Sequence, residues 1–183
     1  LEGRAAALGS RLGKVRSKIK STAAGKSEVT YRNFEKMLLV EVSKSSKTRT
    51  WLVYGAIRKA YLAEGGPTGE LGVPVADPKC GLLEGGCVQR FTNGAIYHNK
   101  NLKKATVAFG KGRKAELFAT ALSQVGFAEK RNPTSKYNKW TRSLGKPWCS
   151  AFQSWVAAAS GNSEIIPKRA RLYQLVRALK KTD

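Results

Sequence analysis

The beginning of the chain mixes apolar and basic side chains at a helical spacing. Four apolar residues lie three or four positions apart, namely Leu8, Leu12, Val15 and Ile19. Lysine and arginine fill the positions between them, which predicts a basic amphipathic helix over residues 4–20. Gly9 and Gly13 lower its helical propensity, so a flexible, solvated leader is the alternative. The small and polar residues 21–26 then predict a linker.

From Tyr31 onward the helical period gives way to short β-rich runs that end in glycine. Segments 34–55 and 91–110 look like copies of one unit. Each has an aromatic residue, a turn, an apolar strand, a polar tip and a second strand that closes on glycine. In the second copy Asn93-Gly94 predicts a tight turn with positive backbone dihedrals. The first copy lacks this glycine, so its turn must be built differently.

Helical periodicity returns after Gly112. The first predicted helix ends at Gly126 and carries one apolar stripe, which consists of Leu117, Phe118, Ala121, Leu122 and Val125. A loop over residues 129–147 precedes a second helix, whose apolar positions are Phe152, Trp155, Val156 and Ala159. Cys149 is therefore expected at or just before the start of that helix. A last helix from Pro167 is predicted to turn four residues inward, namely Leu172, Leu175, Val176 and Leu179.

Together these patterns predict an α+β protein, with a small β-hairpin repeat module followed by a mainly helical part. The predicted divisions are a basic N-terminal leader or helix at 1–29, the repeat module at 30–112 and the helical domain at 113–183. A length of 183 residues suits two small modules. No run of about 18 continuous apolar residues occurs, so no membrane-spanning helix is expected.

Charge is the strongest compositional signal, with 34 Lys and Arg against 12 Asp and Glu, a formal net charge of +22. Basic minus acidic counts are 12 − 4 for residues 1–50, 7 − 4 for 51–110 and 15 − 4 for 111–183. An excess in two separate flanks predicts nonspecific attraction to polyanions such as cell-wall phosphates. Nucleic acid is expected to bind only nonspecifically, because no zinc finger or helix-turn-helix is recognisable.

The three cysteines bear on redox chemistry. Cys80 and Cys87 bracket a turn-rich hexapeptide, so a disulfide between them and an oxidising compartment are predicted, with three reduced thiols as the alternative. Cys149 is left over. The chain has a single histidine, His98, and lacks the usual zinc-binding spacings. We therefore predict no metal site and no cofactor.

The stretch over residues 31–110 resembles the LGFP-type repeats of actinobacterial cell-envelope proteins. The resemblance rests on Gly55, Ile57, Tyr61, Gly65, Gly66, Leu71, Gly72, Pro74, Phe91, Gly94, Ile96 and Tyr97. It covers one complete repeat and the end of a preceding one, and Val73 stands where the repeat's name has phenylalanine. The resemblance implies a secreted or extracellular protein attached to the cell envelope. Tyr61, Phe91 and Tyr97 become candidate binding residues, although such aromatics can equally form the core and turns of the repeat.

A second resemblance is to the front half of a CHAP-type cysteine amidohydrolase/peptidase domain, which is papain-like. It rests on Gly126, Glu129, Asn132, Tyr137, Trp140, Trp148, Cys149, Ser150, Ala151, Phe152 and Trp155. It implies cleavage of peptidoglycan, with Cys149 as the nucleophile and Trp140 and Trp148 as candidate binding residues. The family's histidine-bearing sheet follows the cysteine, whereas no histidine lies downstream of Cys149 here. His98 is expected to be an ordinary strand or tip residue.

Three explanations for the missing histidine stay open: a split or fragmentary domain completed by a second polypeptide, a degenerate binding domain, or Cys149 as a core thiol. Helices that lack the histidine-bearing sheet of the family should expose apolar stripes, and a partner chain or self-association should then cover them. The predicted function is envelope binding by a cationic protein that carries part of a peptidoglycan-cleaving domain. The alternatives are a non-enzymatic cell-surface binding or toxin-delivery module and a nonspecific nucleic-acid binder.

Overall fold

A computed structural model describes residues 1–128 and 135–180, which form two four-stranded antiparallel sheets with helices around them. In each sheet the strands follow one another in chain order. The first sheet contains β1 (Lys20–Ala24), β2 (Ser27–Asn33), β3 (Met37–Lys44) and β4 (Lys47–Tyr54). The second contains β5 (Lys79–Leu82), β6 (Gly86–Phe91), β7 (Gly94–His98) and β8 (Thr106–Phe109). The predicted α+β class is confirmed.

Six α-helices are found in the described part of the chain. They are α1 (Glu2–Leu8), α2 (Gly55–Ala63), α3 (Gly112–Leu122), α4 (Lys136–Thr141), α5 (Cys149–Ala159) and α6 (Leu172–Leu179). The helix that begins at Cys149 agrees with the predicted one, and its Trp155, Val156 and Ala159 are buried. By contrast, the last helix begins at Leu172 rather than Pro167. Of its four predicted inward residues, only Leu175 is fully buried.

The predicted N-terminal helix over residues 4–20 is wrong. Helix α1 stops at Leu8, because Gly9 and Gly13 adopt positive φ angles of 51° and 71°, a conformation that interrupts a right-handed helix. A short 3-10 turn then buries Leu12. The predicted linker at 21–26 is also wrong, since most of it belongs to β1 and its turn into β2. This strand forms by backbone pairing with β2, which the side-chain pattern does not predict.

The same backbone arrangement occurs in both halves of the β-rich region. In the first half Gly13 has φ 71° and Val15 bridges to Phe34; in the second, Gly72 has φ 72° and Pro74 bridges to Phe91. The flanking hydrogen bonds also correspond. In the first half, Glu35 N donates to Lys14 O at 2.7 Å and Lys36 N donates to Leu12 O at 3.0 Å. In the second half, Thr92 N donates to Val73 O at 2.9 Å and Asn93 N donates to Leu71 O at 3.0 Å. Each hairpin then leads through glycine into a helix. The structural repeat therefore begins near Leu12, well before the Tyr31 suggested by the sequence.

The predicted dihedrals of the Asn93-Gly94 turn are wrong. Within the described residues, φ is positive at neither Asn93 nor Gly94. Gly94 instead meets a packing requirement, because a Cβ atom there would lie 2.4 Å from Leu71 Cδ2 and 2.6 Å from the backbone oxygen of Ala108. The glycine is thus needed for close approach between neighbouring chain segments.

The second sheet shares one hydrophobic core with the C-terminal helices. Its buried members are Val88, Ala95, Tyr97, Ala108, Ala115, Ala119, Tyr137, Ala151, Trp155, Val156 and Ala159. Another core lies between the first sheet, α2 and the second sheet, and Tyr61 and Phe91 are among its buried members. Residues on both sides of the predicted boundary at 112/113 therefore pack together. The second sheet is a common support for α2 and α3.

Helix α3 turns only part of the predicted apolar stripe toward the core, where Leu117 and Ala121 are partly buried. Its buried residues are Ala115, Ala119 and Thr120, whereas the large side chains of Phe118 and Leu122 are exposed. Alanines let the helix approach β7 and β8 closely, which leaves the bulky residues on the outer side. The helix ends at Leu122, before the predicted stop at Gly126.

Candidate functional site

The three aromatic residues that the LGFP resemblance suggested for binding lie in the core. Tyr61, Phe91 and Tyr97 are at most 1% exposed. The Tyr61 ring stacks on Phe91 with 4.5 Å between ring centroids, and its hydroxyl donates a hydrogen bond of 2.7 Å to the Gly72 carbonyl. Their burial agrees with the alternative, a role in the core of the repeat.

Burial also fixes the protonation of these phenols. It raises the pKa of Tyr97 to about 12 and raises the pKa of Tyr61 as well, because the charged phenolate would lose its hydration. The Tyr97 oxygen accepts a hydrogen bond from Asn99 Nδ2 at 3.2 Å, and the same amide donates to Glu84 Oε2 at 2.9 Å. At neutral pH both tyrosines are structural, hydrogen-bonded phenols.

The remaining candidates, Trp140, Trp148 and Cys149, lie in the helical part. Trp148 stacks on Tyr137, at 5.4 Å between centroids, and Cys149 follows it as the exposed first residue of α5. They line a groove of about 410 Å³ together with Ala121, Gln124, Val125, Gly126, Phe127, Tyr137, Phe152 and Gln153. Trp140 lies elsewhere, with Lys168 Nζ 4.4 Å from its ring centroid. The structure thus brings Trp148 and Cys149 together but places Trp140 apart.

No histidine from the described residues lines the Cys149 groove. His98, the single histidine of the sequence, ends β7, and its Nε2 atom lies 3.1 Å from the Leu102 carbonyl in the same hairpin. The predicted positions Glu129 and Asn132 lie outside the described residues. Cys149 therefore has neither a histidine nor a carboxylate among the described residues that line its groove.

A different cleft, which the sequence analysis missed, lies on the repeat itself. It has a volume of about 640 Å³ and separates α2 from the hairpin of β7 and β8. Its floor is apolar, formed by Ala56, Ala60, Ala63, Ala105 and Val107. Its polar lining consists of Lys59, Lys103, Lys104, His98 and Glu64. We call this the lysine cleft.

The numbers of basic and acidic residues along the sequence do not show that the lysine cleft is positively charged. Residues 51–110 contain seven basic and four acidic side chains, a nearly balanced total. Two of those acids pair with cations from the flanks: Asp77 with Arg4, and Glu84 with Lys136 Nζ at 3.0 Å. None of the three cleft lysines forms an ion pair with a residue that the structure describes. The cleft can therefore bind an anionic group against an apolar floor.

A second groove of about 590 Å³ lies between the turn joining β1 to β2 and the first turn of the second repeat unit. It includes the exposed Lys26, Lys44, Thr92 and Asn93. Thr92 and Asn93 are held in place by hydrogen bonds to the Val73 carbonyl at 3.1 Å and the Glu70 carbonyl at 3.0 Å. This groove adds hydroxyl, amide and ammonium groups between the two repeat units.

The disulfide that the sequence predicts is confirmed between Cys80 in β5 and Cys87 in β6. It ties the edge strand of the second sheet to its neighbour. Among residues 1–128 and 135–180, no group of three or more histidine, cysteine or acidic residues could hold a metal ion. None of the helices in these ranges combines the length and apolar character needed to cross a bilayer.

Comparison with known families identifies one region of the chain. Residues 71–115 match the LGFP repeat, a stretch that contains the whole second sheet, Lys103, Lys104 and the start of α3. LGFP repeats occur in cell-surface proteins, which agrees with an extracellular location. No curated protein matches the sequence. The predicted LGFP resemblance is thus confirmed for this stretch, while the CHAP resemblance of the C-terminal part gains no support from the comparisons and stays a prediction.

Proposed function

We propose that this protein is secreted and binds an anionic polymer of the bacterial cell envelope through the lysine cleft of its LGFP region. The observation that carries the proposal is the match of residues 71–115 to the LGFP repeat. Lys103 and Lys104 lie inside this match, and Lys59 faces them from α2. Phosphate or carboxylate groups of a wall polymer are negatively charged and can form ionic contacts with these ammonium groups.

The neighbouring groove supports a polymeric ligand. Its threonine hydroxyl, asparagine amide and two lysines provide groups suited to the hydroxyls and phosphates of an anionic glycan. The lysine cleft and this groove would contact different parts of one polymer chain, which strengthens binding by raising the effective concentration of the second contact. The basic flanks would add a weaker, salt-sensitive attraction.

Replacing all three cleft lysines, by Lys59→Gln, Lys103→Gln and Lys104→Gln together, should weaken binding to purified cell walls by about tenfold. This figure assumes roughly 0.5 kcal/mol for each exposed ionic contact. The measurement is co-sedimentation with walls at moderate salt, before and after chemical removal of their anionic polymers. The loss should disappear on the stripped walls.

The matched control removes the same number of positive charges from the first sheet and from the segment just before it. Lys18, Lys20 and Lys47 are exposed, and the described residues give them no ion pair. A triple glutamine variant at these positions should keep most of the binding. If the two triple variants lose equal affinity, attraction by net charge is sufficient and the cleft has no special role.

A second candidate function is thiol-dependent cleavage of peptidoglycan, with the base supplied by another polypeptide. It is favoured by the exposed, unpaired thiol of Cys149 at the start of α5, beside an aromatic groove. The uncovered Phe118 and Leu122 on α3 offer a surface on which such a polypeptide could pack. The toxin-delivery and nucleic-acid alternatives have no observation of this kind in their favour.

The cleavage function predicts that walls lose turbidity with the wild-type protein and a histidine-bearing partner segment, and that Cys149→Ala abolishes this loss. Wall binding by Cys149→Ala should be unchanged, because the thiol lies outside the lysine cleft. Equal clearing by wild type and Cys149→Ala would rule out a thiol nucleophile. Unchanged binding with no clearing under any condition would leave the envelope-binding role alone.

A further inference from the structure

The C-terminal helix exposes an apolar surface that nothing in the described structure covers. Leu172, Tyr173 and Val176 are 63%, 61% and 43% exposed, and they form a shallow depression with Arg177 and Lys180. Such large side chains gather on one face because α6 turns only Leu175 fully into the core. An apolar patch of this kind on a surface helix marks a contact site.

Beside this patch lies a cationic groove of about 710 Å³. Lys168, Arg169 and Arg177 line it together with Thr141, Ala170, Tyr173, Gln174 and Ala178. None of the three cations forms an ion pair with a residue in 1–128 or 135–180. The groove therefore has an unneutralised positive charge, and no acidic residue is among those that line it.

The groove is built on a fixed segment. Ser154 is buried in α5, and its single O–H is shared between the carbonyl oxygens of Pro167 at 2.9 Å and Arg169 at 3.1 Å. The same oxygen accepts a hydrogen bond from the Arg169 amide at 3.0 Å. Lys168 lies over the Trp140 ring, a favourable cation–π position. The backbone from which the cations project is thus anchored to the core.

Tyr173 and Arg177 belong to both the groove and the apolar depression, so the two features are continuous. We propose that α6 and residues 168–171 form a docking surface for an anionic phospholipid bilayer. The lipid phosphates would occupy the groove, and Leu172, Tyr173 and Val176 would enter the boundary between headgroups and acyl chains. A soluble polyanion would use the cations but leave the apolar patch exposed, which is why charge and apolarity together favour a lipid surface.

The test is co-sedimentation of the full chain with vesicles. Binding is expected to vesicles of equal parts phosphatidylglycerol and phosphatidylcholine, and to be far weaker to pure phosphatidylcholine. Arg169→Gln with Arg177→Gln should reduce the affinity by about twenty-five-fold, since each cation near an anionic surface contributes roughly fivefold. Leu172→Ser with Val176→Ser should reduce it by about tenfold, because less apolar surface leaves water.

Two matched controls distinguish this surface from other features. Phe118 and Leu122 on α3 are 58% and 50% exposed, so Phe118→Ser with Leu122→Ser removes a similar exposed apolar pair elsewhere. Lys103→Gln with Lys104→Gln removes two charges from the lysine cleft. Both controls should bind the anionic vesicles within about threefold of wild type, since only a distant contribution of net charge changes.

Two results would overturn the proposal. One is equal binding to both vesicle types, and the other is unchanged vesicle binding by the Leu172/Val176 variant. If polyphosphate also displaces the protein completely in the second case, the groove belongs to a soluble polyanion. Because variants of the lysine cleft are tested both against vesicles and against walls, failure of envelope-polymer binding and failure of lipid docking give different patterns.

Discussion

Tyr61→Ala is expected to lower the free energy of unfolding by about 3–5 kcal/mol, the range for removing a large buried aromatic side chain. Tyr61 lies on α2, but its ring stacks on Phe91 and its hydroxyl donates to Gly72. The substitution would leave a cavity at the contact between the first hairpin's helix and the LGFP region. It would also leave the Gly72 carbonyl without this donor, at a further cost.

Denaturant unfolding followed by tryptophan fluorescence measures this change. Tyr61→Phe keeps the stacked ring and should cost about 1–2 kcal/mol, which separates the hydroxyl from the ring. Phe109→Ala is the matched control, because Phe109 is an aromatic residue of the second sheet that is 47% exposed. It should cost well under the value for Tyr61→Ala. Similar losses from Tyr61→Ala and Phe109→Ala would contradict a central role for Tyr61 in the core.

The second large effect is expected for Gly94→Ala, with a loss of about 2–3 kcal/mol from overpacking. The added methyl would meet Leu71 Cδ2 at 2.4 Å and the Ala108 oxygen at 2.6 Å. Leu71 is fully buried, and Ala108 pairs with Ala95 across β7 and β8, so neither can move without disturbing the second sheet. The LGFP region should therefore lose stability although only one methyl group is added.

Gly3→Ala provides the comparison for Gly94→Ala. An added Cβ at Gly3 meets nothing within 4 Å, and Gly3 lies inside α1. Alanine in a helix is favoured over glycine by up to about 1 kcal/mol, so this variant should be as stable as wild type or slightly more stable. The measurement is again the denaturation midpoint. A Gly94→Ala protein with the wild-type midpoint would show that the turn tolerates a side chain and that the close approach is not required.

The lysine cleft illustrates why a charge count along the sequence is an incomplete guide to a binding surface. The counts placed the basic excess in the two flanks, yet Arg4 and Lys136 from those flanks pair with Asp77 and Glu84 of the middle region. Their pairing removes acidic charge from the LGFP region, so Lys59, Lys103 and Lys104 face only one acidic residue, Glu64, among the described residues that line the cleft. The adjacent Lys103-Lys104 pair was a visible signal, but its approach to Lys59 depends on how α2 packs against the second sheet.

Some properties followed from the sequence because they depend on neighbouring residues or on a recognisable motif. The LGFP resemblance at residues 71–115, the Cys80–Cys87 disulfide across a short turn and the helix that starts at Cys149 are all of this kind. Each depends on local spacing, which restricts the backbone before any tertiary contact forms.

Tertiary structure decided the properties that depend on which face of an element finds a partner. Periodicity in α3 identified an apolar stripe correctly but could not show that Ala115 and Ala119 would form the buried side. Strand β1 exists because β2 lies beside it to accept its hydrogen bonds, a relation that small and polar side chains do not signal. The sequence suggested that glycine is needed at position 94 for the turn dihedrals. In the structure glycine is needed there because Leu71 and Ala108, on other segments, leave no room for a side chain. Sequence therefore determined the LGFP stretch, the Cys80–Cys87 disulfide and the helix at Cys149, whereas packing between segments determined strand β1 and which faces are buried.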